Sequence, residues 1–210
     1  MLTILTVIII GYLLGSIPTG VWLGKALKGI DVRQHGSKST GATNVFRVLG
    51  TKLAVVVLII DILKGFFAAF ISSHVNLGDS LLTPDQLGMI SGLMAIVGHL
   101  FPIFAGFRGG KGVATGAGIL LFLAPLEVGF ALLIFIVTIV VTRYVSLGSI
   151  LAVTFLSSGI ILERYVFGFR EGNEMVYLSL SLVFLILFTH RANISRLIKG
   201  RENKFGAKTN

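Results

Sequence analysis

KLAVVVLIIDILKGFFAAFISS, residues 52–73, stays apolar for about the length of a bilayer crossing, and only Asp61 and Lys64 interrupt its interior. A hydrocarbon core is about 30 Å thick and takes roughly 20 helical residues to cross. Outward from this segment the same composition recurs at residues 2–27, 86–106, 112–125, 126–142, 147–165 and 174–190. The whole chain is 54% hydrophobic and 13% charged, whereas soluble domains average about 45–50% apolar and about 25% charged. Too few charges remain to cover a water-facing surface. The fold class expected is an all-α polytopic membrane protein, a single domain over residues 1–210 with seven transmembrane helices. The fourth and fifth stretches are divided only by Ala124-Pro125-Leu126-Glu127. Residues 113–142 are too many for one ordinary crossing, and Pro125 disfavours a helical Ala124, so two helices are expected there. The first stretch lacks the basic start and small-residue cleavage site of a secretory signal, and reads as a retained helix.

Charge assigns the sides. With the N-terminus outside, one face gathers Lys25, Lys28, Arg33, Lys38, Arg47, Lys52, Arg108, Lys111, Arg143, Arg191, Arg196, Lys199, Arg201, Lys204 and Lys208, which is 15 of the 18 basic residues. Arg164, Arg170, Asp79, Asp85, Glu127, Glu163, Glu171 and Glu174 fall opposite. Lys/Arg bias sets orientation, so the basic face and the C-terminal tail are expected in the cytoplasm. The net charge of +9 is thus placed for topology and lipid headgroups, and nucleic acid is not an expected partner. Cysteine is absent, which removes disulfides, thiolate nucleophiles and Cys-based metal sites. No metal-ligand cluster is apparent, and no cofactor is expected.

Three inside segments carry more than a topology signal requires. In Gly36-Ser37-Lys38-Ser39-Thr40-Gly41-Ala42-Thr43-Asn44-Val45-Phe46-Arg47, small residues leave backbone N–H groups uncovered, as an anion-binding nest does. Ser37, Thr40 and Thr43 add hydroxyls, and Arg47 offers a two-pronged fit to phosphate. The plainer reading is a polar loop ahead of a helix starting near Thr51. In Gly98-His99 through Arg108-Gly109-Gly110-Lys111-Gly112-Val113-Ala114-Thr115, a glycine-rich basic turn opens a helix, where anions are favoured. It is not a nucleotide-binding P-loop: Ala105 and Gly112 stand where that motif needs Gly and Ser or Thr. The plainer reading is a tight turn with positive-inside charge. In His190-Arg191-Ala192-Asn193-Ile194-Ser195-Arg196-Leu197, read as continuing the last helix, His190 and Asn193 share a face at i, i+3. An amphipathic basic tail on lipid is the plainer reading. A shorter turn, Arg143-Tyr144-Val145-Ser146, sets a hydroxyl beside a cation, and Ser146 can equally cap the sixth membrane helix. Asp61 and Lys64, one turn apart inside a crossing, are expected to form a mutual ion pair facing the bundle.

Together these segments resemble the bacterial acyl-phosphate:glycerol-3-phosphate acyltransferase family (PlsY). Its signatures, Gly-Ser-x-x-x-Gly-Ala-Thr-Asn-x-x-Arg, Gly-Gly-Lys-Gly-Val-Ala-Thr and His-x-x-Asn-Ile-x-Arg-Leu followed by Gly-x-Glu, stand here at Gly36 to Arg47, Gly109 to Thr115 and His190 to Glu202. One departure is Lys38-Ser39, where many members have Gly-Asn. The resemblance implies seven helices, signatures on the cytoplasmic side, and acyl transfer from acyl phosphate to the 1-hydroxyl of sn-glycerol 3-phosphate, giving lysophosphatidic acid and inorganic phosphate. It implies glycerol 3-phosphate, acyl phosphate and membrane lipids as partners. It implies that His190 and Asn193 act in catalysis, and that Ser37, Thr43, Asn44, Arg47, Arg108, Gly110, Lys111, Ser146 and Glu202 bind substrate or phosphate. The proton of the attacking hydroxyl goes either to His190 or to a substrate phosphate oxygen; the sequence leaves both open. A small transporter of an anionic solute is the alternative, but transporter sites lie near the midplane between repeated halves, and no repeat is visible here. His74-x-x-x-x-Asp79 matches the spacing of a different acyltransferase pair, and on the outer face it reads as a chance match.

Overall fold

The computed structural model describes residues 1–169 and 172–206; Arg170, Glu171 and Lys208, assigned to sides above, lie outside them. Every regular element described is helical: α1 (Leu2–Gly15), α2 (Thr19–Lys28), α3 (Ala42–Leu49), α4 (Thr51–Ser73), α5 (Pro84–Leu100), α6 (Val113–Leu123), α7 (Pro125–Thr142), α8 (Val145–Tyr165), α9 (Glu174–Thr189) and α10 (Arg191–Ile198), with 3-10 turns at Val32–Gln34 and Ile103–Ala105. Among the described residues five stretches are long and apolar enough to cross a membrane, namely Leu2–Lys28, Thr51–Ser73, Pro84–Ala105, Pro125–Thr142 and Val145–Tyr165. The pair α9–α10 makes a sixth if its two bent parts are counted as one. This is the helical, apolar architecture of an integral membrane protein.

Two expected helices are each broken in two. The first stretch stops at Gly15 and resumes at Thr19, because Pro18 supplies no N–H to continue the ladder. The carbonyl of Ile17 at the break accepts a hydrogen bond from Lys64 Nζ at 3.0 Å. The last stretch does not run on through the third signature segment: α9 ends at Thr189, and α10 leaves at 63°. His190 sits at the corner, and the Thr189 hydroxyl and His190 Nδ1 both turn back to the Ile186 carbonyl. Side chains that bond preceding carbonyls in this way compete with a regular helix. The break before Pro125 appears where expected, with Ala124 at φ −152° and Pro125 as the first residue of α7.

The chain divides into two compact units, Met1–Leu123 and the residues from Ala124 onward. In the first, α1 packs on α5 through Gly11 and Gly15, which lie directly against the backbone of Ser91 and Ala95. α4 packs on α6 in the same manner, with Gly65 against Thr115 and Gly118 against Ile62. Small residues let membrane helices approach closely enough for backbone contact. Val21, Val32, Val45, Ala54 and Val57 form a buried cluster joining α2, α3, α4 and the Val32–Gln34 turn, and this cluster carries the loop between that turn and α3. A capping box between Thr83 and Gln86 starts α5. Asp79 accepts the backbone N–H groups of Leu2 and Thr3 and the Thr3 hydroxyl, covering orphan donors at the start of α1. His74 Nδ1 turns to the Phe70 carbonyl and the Ser73 hydroxyl, so His74 and Asp79 are each committed elsewhere. In the second unit α8 packs on α7 and α9, with Ser157 and Ser179 hydrogen-bonded at 3.0 Å between α8 and α9. α7 leaves Leu126, Phe130, Leu132, Leu133, Val140 and Val141 exposed, a surface suited to lipid.

Candidate functional site

The loop from Gly36 to Gly41 is shaped from within by Asn44. This side chain is 1% exposed; its Oδ1 accepts the Ser37 N–H at 2.7 Å, and its Nδ2 donates to the carbonyls of Val32, His35 and Ser39. Asn44, expected among the phosphate-binding residues, therefore applies its amide to the loop backbone. The expected nest is also partly filled, because the N–H groups of Ser37, Lys38 and Gly41 already bond Asn44 Oδ1, the His35 carbonyl and Ser39 Oγ. Ser37 in the loop is exposed, and Thr43 and Arg47 on α3 are half-buried. Gly36 has φ +58°, and a Cβ there would collide with Asn44 Oδ1. Lys38 also lies in the left-handed region at φ +58°, a conformation that glycine adopts without steric cost.

Arg33 joins this loop to the second signature segment. Its Nε and Nη2 bond both oxygens of Asp31, and its Nη1 donates to the Ala105 carbonyl in the turn ahead of Arg108. The Arg33 hydrogen bonds hold the Asp31 carboxyl down at about 2. The loop then places Arg108 exposed and Lys111 half-buried just before α6. The N–H groups of Gly109 and Gly110 bond the carbonyls of Leu100 and His99 at 3.1 and 3.0 Å. These are carbonyls at the end of α5 that the helix itself leaves unpaired. Beneath the loop Asp61 and Lys64 form the expected ion pair at 2.8 Å, each side chain 4% exposed. His99, 5% exposed, lies 3.8 Å from Asp61 and 3.2 Å from the Thr115 hydroxyl.

The second unit builds its own cluster around Glu202, which is buried. Ser146 Oγ and Asn193 Nδ2 donate to Glu202 Oε1 at 3.0 and 2.6 Å, and Arg196 Nε donates to Oε2 at 2.8 Å. Burial opposes ionisation of this carboxyl, but the hydrogen bonds from Asn193, Arg196 and Ser146 together outweigh it and hold its pKa below the ordinary glutamate range. Ser146 thus turns to the tail rather than capping α8. His190 is 2% exposed, and its Nδ1 lies 2.9 Å from the Ile186 carbonyl. A carbonyl only accepts, so Nδ1 carries a proton.

The expected site residues thus fall into two built groups. Ser37, Thr43, Asn44, Arg47, Arg108, Gly110 and Lys111 belong to the first unit, and Ser146, His190, Asn193 and Glu202 to the second. Sequence reasoning passed over Arg196 as a partner of Glu202, and over His99 and Thr115 beneath the loop. The available signal was proximity: Arg196 and His99 both lie within the quoted segments.

The comparisons with known proteins agree with one another. A family model described as Glycerol-3-phosphate acyltransferase matches residues 5–200. A glycerol-3-phosphate acyltransferase of Fusobacterium nucleatum subsp. nucleatum is 46% identical over 198 residues, covering 94% of this chain and 96% of the relative. One from Chlorobaculum tepidum is 43% identical over 231 residues, covering 99% of this chain and 100% of the relative. The crystal structure of PlsY (YgiH), an integral membrane glycerol 3-phosphate acyltransferase, in its glycerol 3-phosphate form superposes with a TM-score of 0.85 at 38% identity, over 97% of this chain and 96% of that one. Its lysophosphatidic acid form gives a TM-score of 0.82 at 37% identity, over 97% and 95%.

Proposed function

The chain belongs to the glycerol-3-phosphate acyltransferase family and acylates glycerol 3-phosphate; from that premise we propose that its acyl donor is an acyl phosphate and that transfer takes place at the cytoplasmic face of a bacterial membrane. The products are lysophosphatidic acid and inorganic phosphate. The observation that carries the reading is the Arg108–Gly112 loop, which sets Lys111 at the entrance to α6, where the first N–H groups of the helix lack partners within it. That is a phosphate site by charge and by helix-terminal amides. Ser37, from the loop that Asn44 shapes, and Thr43 and Arg47 of α3 supply further phosphate contacts in the first unit; Ser146, whose hydroxyl proton goes to Glu202, serves the second unit's own cluster instead. His190 and Asn193 position the glycerol hydroxyl, with Glu202 orienting Asn193 and Arg196. The family model spans both compact units, so one functional domain is the reading.

Acyl phosphate is an activated mixed anhydride, so the protein needs to supply position more than covalent help. Fixing a hydroxyl near the carbonyl is worth about 7–11 kcal/mol at best, and cations near the leaving phosphate stabilise the charge that develops there. The neutral tautomer of His190, with basic Nε2, is the form that accepts the hydroxyl proton; a substrate phosphate oxygen is the competing acceptor. Near-normal turnover in a folded His190→Ala variant would remove His190 from the chemistry.

The topology within this proposal has seven crossings, N-terminus outside and C-terminus in the cytoplasm. Its support is the basic bias of the tail and of the loops after α2, α5 and α7. α6, with 11 residues, rises about 16 Å and completes its crossing only together with the loop that precedes it. A reporter fused after Phe205 and found outside would overturn this arrangement. The donor is tested with purified protein and glycerol 3-phosphate, by following phosphate release with acyl phosphate against product formation from acyl thioesters. Product from thioesters alone would overturn the donor assignment and leave the family intact.

A further inference from the structure

Gly110 lies against the imidazole of His99 so closely that a Cβ on it would fall onto His99 Nε2. The same histidine accepts the Gly110 N–H on its carbonyl at 3.0 Å. Its Nδ1 lies 3.2 Å from the hydroxyl of Thr115, which is fully buried in the first turn of α6. The Thr115 backbone in turn rests on Gly65, the residue after Lys64 in α4. Asp61 Oδ1 is 3.8 Å from Nδ1, beyond hydrogen-bond reach, so the ring is bracketed by the loop, α6 and the α4 ion pair. Lys111 directly follows Gly110, and Gly112 after it has φ +83° with no room for a side chain against Ile96. A displacement of Gly110 therefore carries Lys111 with it.

We propose that His99 is a positioning residue, whose buried ring is the seat that sets the height and direction of the loop presenting Lys111. This rests on reading that loop as a phosphate site. Imidazole suits the task because it is flat enough to lie under bare glycine backbone and polar at the edge that meets Thr115. A residue that merely filled space would offer the first property alone. Fixing a loop by its supporting shell is what keeps a cation and amides within a few tenths of an ångström of a bound phosphate.

Steady-state kinetics of the purified enzyme test the proposal, with glycerol 3-phosphate and acyl phosphate varied separately and melting temperature measured for each variant. Lys111→Ala identifies the substrate whose KM depends on the loop. For that substrate His99→Ala is expected to raise KM roughly tenfold while kcat changes less than about threefold. Thr115→Val, which keeps the shape and removes the hydroxyl, follows in the same direction. His99→Asn, which keeps a polar group near the Nδ1 position, recovers most of the lost affinity. Gly110→Ala is impaired, and the double variant Gly110→Ala/His99→Ala is less impaired than Gly110→Ala alone, because the vacated ring space admits the methyl group. Additive losses in the double variant, or His99→Asn as damaged as His99→Ala, would overturn the positioning role. So would an unchanged KM in His99→Ala or, should that variant not fold, in Thr115→Val. Lys111→Ala with both KM values unchanged would instead overturn the phosphate-loop reading, and this inference with it.

Discussion

Among the described residues each unit buries one carboxylate in a polar cluster, and the two solve the problem differently. In the first, Asp61 is neutralised by Lys64 one turn along the same helix, at 2.8 Å. In the second, Glu202 is reached by Asn193 and Arg196 from α10 and by Ser146 from a helix start 56 residues away in sequence. The first arrangement is a charge pair within a membrane-crossing helix, where an unpaired ion is costly. The second is a hydrogen-bonded knot that gathers three chain segments: the start of α8, α10 and the tail after it. The difference teaches that a buried charge is made tolerable either by a local partner of opposite sign or by several donors brought together through the fold. Only the second ties distant segments of a signature to one another.

The largest expected effect tests the first arrangement. Asp61→Ala or Lys64→Ala alone leaves one buried charge without its partner and should cost about 3–5 kcal/mol, read by thermal unfolding in detergent. Replacing both, as Asp61→Leu/Lys64→Met, should recover most of that loss; a double variant as unstable as the singles would break the picture of mutual neutralisation. Glu202→Gln should cost less, about 2 kcal/mol, because the amide keeps one acceptor for Ser146 and Asn193. Glu202 also gives the second cluster a pH signature. With its folded-state pKa depressed, its contribution is complete above the ordinary glutamate value and is lost as pH falls through the folded value. The acid limb of the stability profile should therefore flatten in Glu202→Gln, and an unchanged limb would show that the knot does not depend on ionised Glu202.

A smaller loss sharpens the contrast between buried and surface pairs. Asp31→Asn removes the carboxylate that Arg33 holds at about 2, yet the pair is partly exposed and should be worth about 1 kcal/mol or less, shrinking as salt is added. The contribution is present above the ordinary aspartate pKa of about 3.9, and it disappears as pH falls towards about 2. Insensitivity to salt would class Asp31 with Asp61 instead. The smallest effect is expected at Lys38, where φ is +58°. Lys38→Gly should raise stability by less than about 1 kcal/mol and leave turnover within about twofold of the parent; a large loss of activity would mean that the lysine itself touches substrate.

Features that depend on near neighbours were legible in the residues. The apolar runs, the start of α4 at Thr51, the break at Ala124 and the Asp61–Lys64 pair all follow from helix periodicity or proline geometry over a few residues. The three signature segments were legible as types of chemistry, namely cations, hydroxyls and glycines at helix entrances. Their internal division of labour was not. Asn44 was expected to bind substrate or phosphate and instead serves the loop backbone, because the carbonyls it meets, at Val32, His35 and Ser39, come within reach only once the loop has closed. The corner at His190 was hidden for a related reason: residues 174–198 carry no proline or glycine to announce a break, and side-chain bonds to Ile186 shape the turn instead.

By itself, then, the sequence determined an all-helical membrane protein, the kinds of residue gathered in its polar segments, and its family. Hydropathy, local propensity and ordered signatures are properties of neighbours along the chain. Tertiary structure alone decided that Glu202 holds Ser146, that Arg33 reaches Ala105, and that Gly110 rests on His99. The first two contacts join residues separated by several helices and the third closes a loop onto the end of α5, and their existence depends on how the helices pack and on where glycine lets one backbone settle against another.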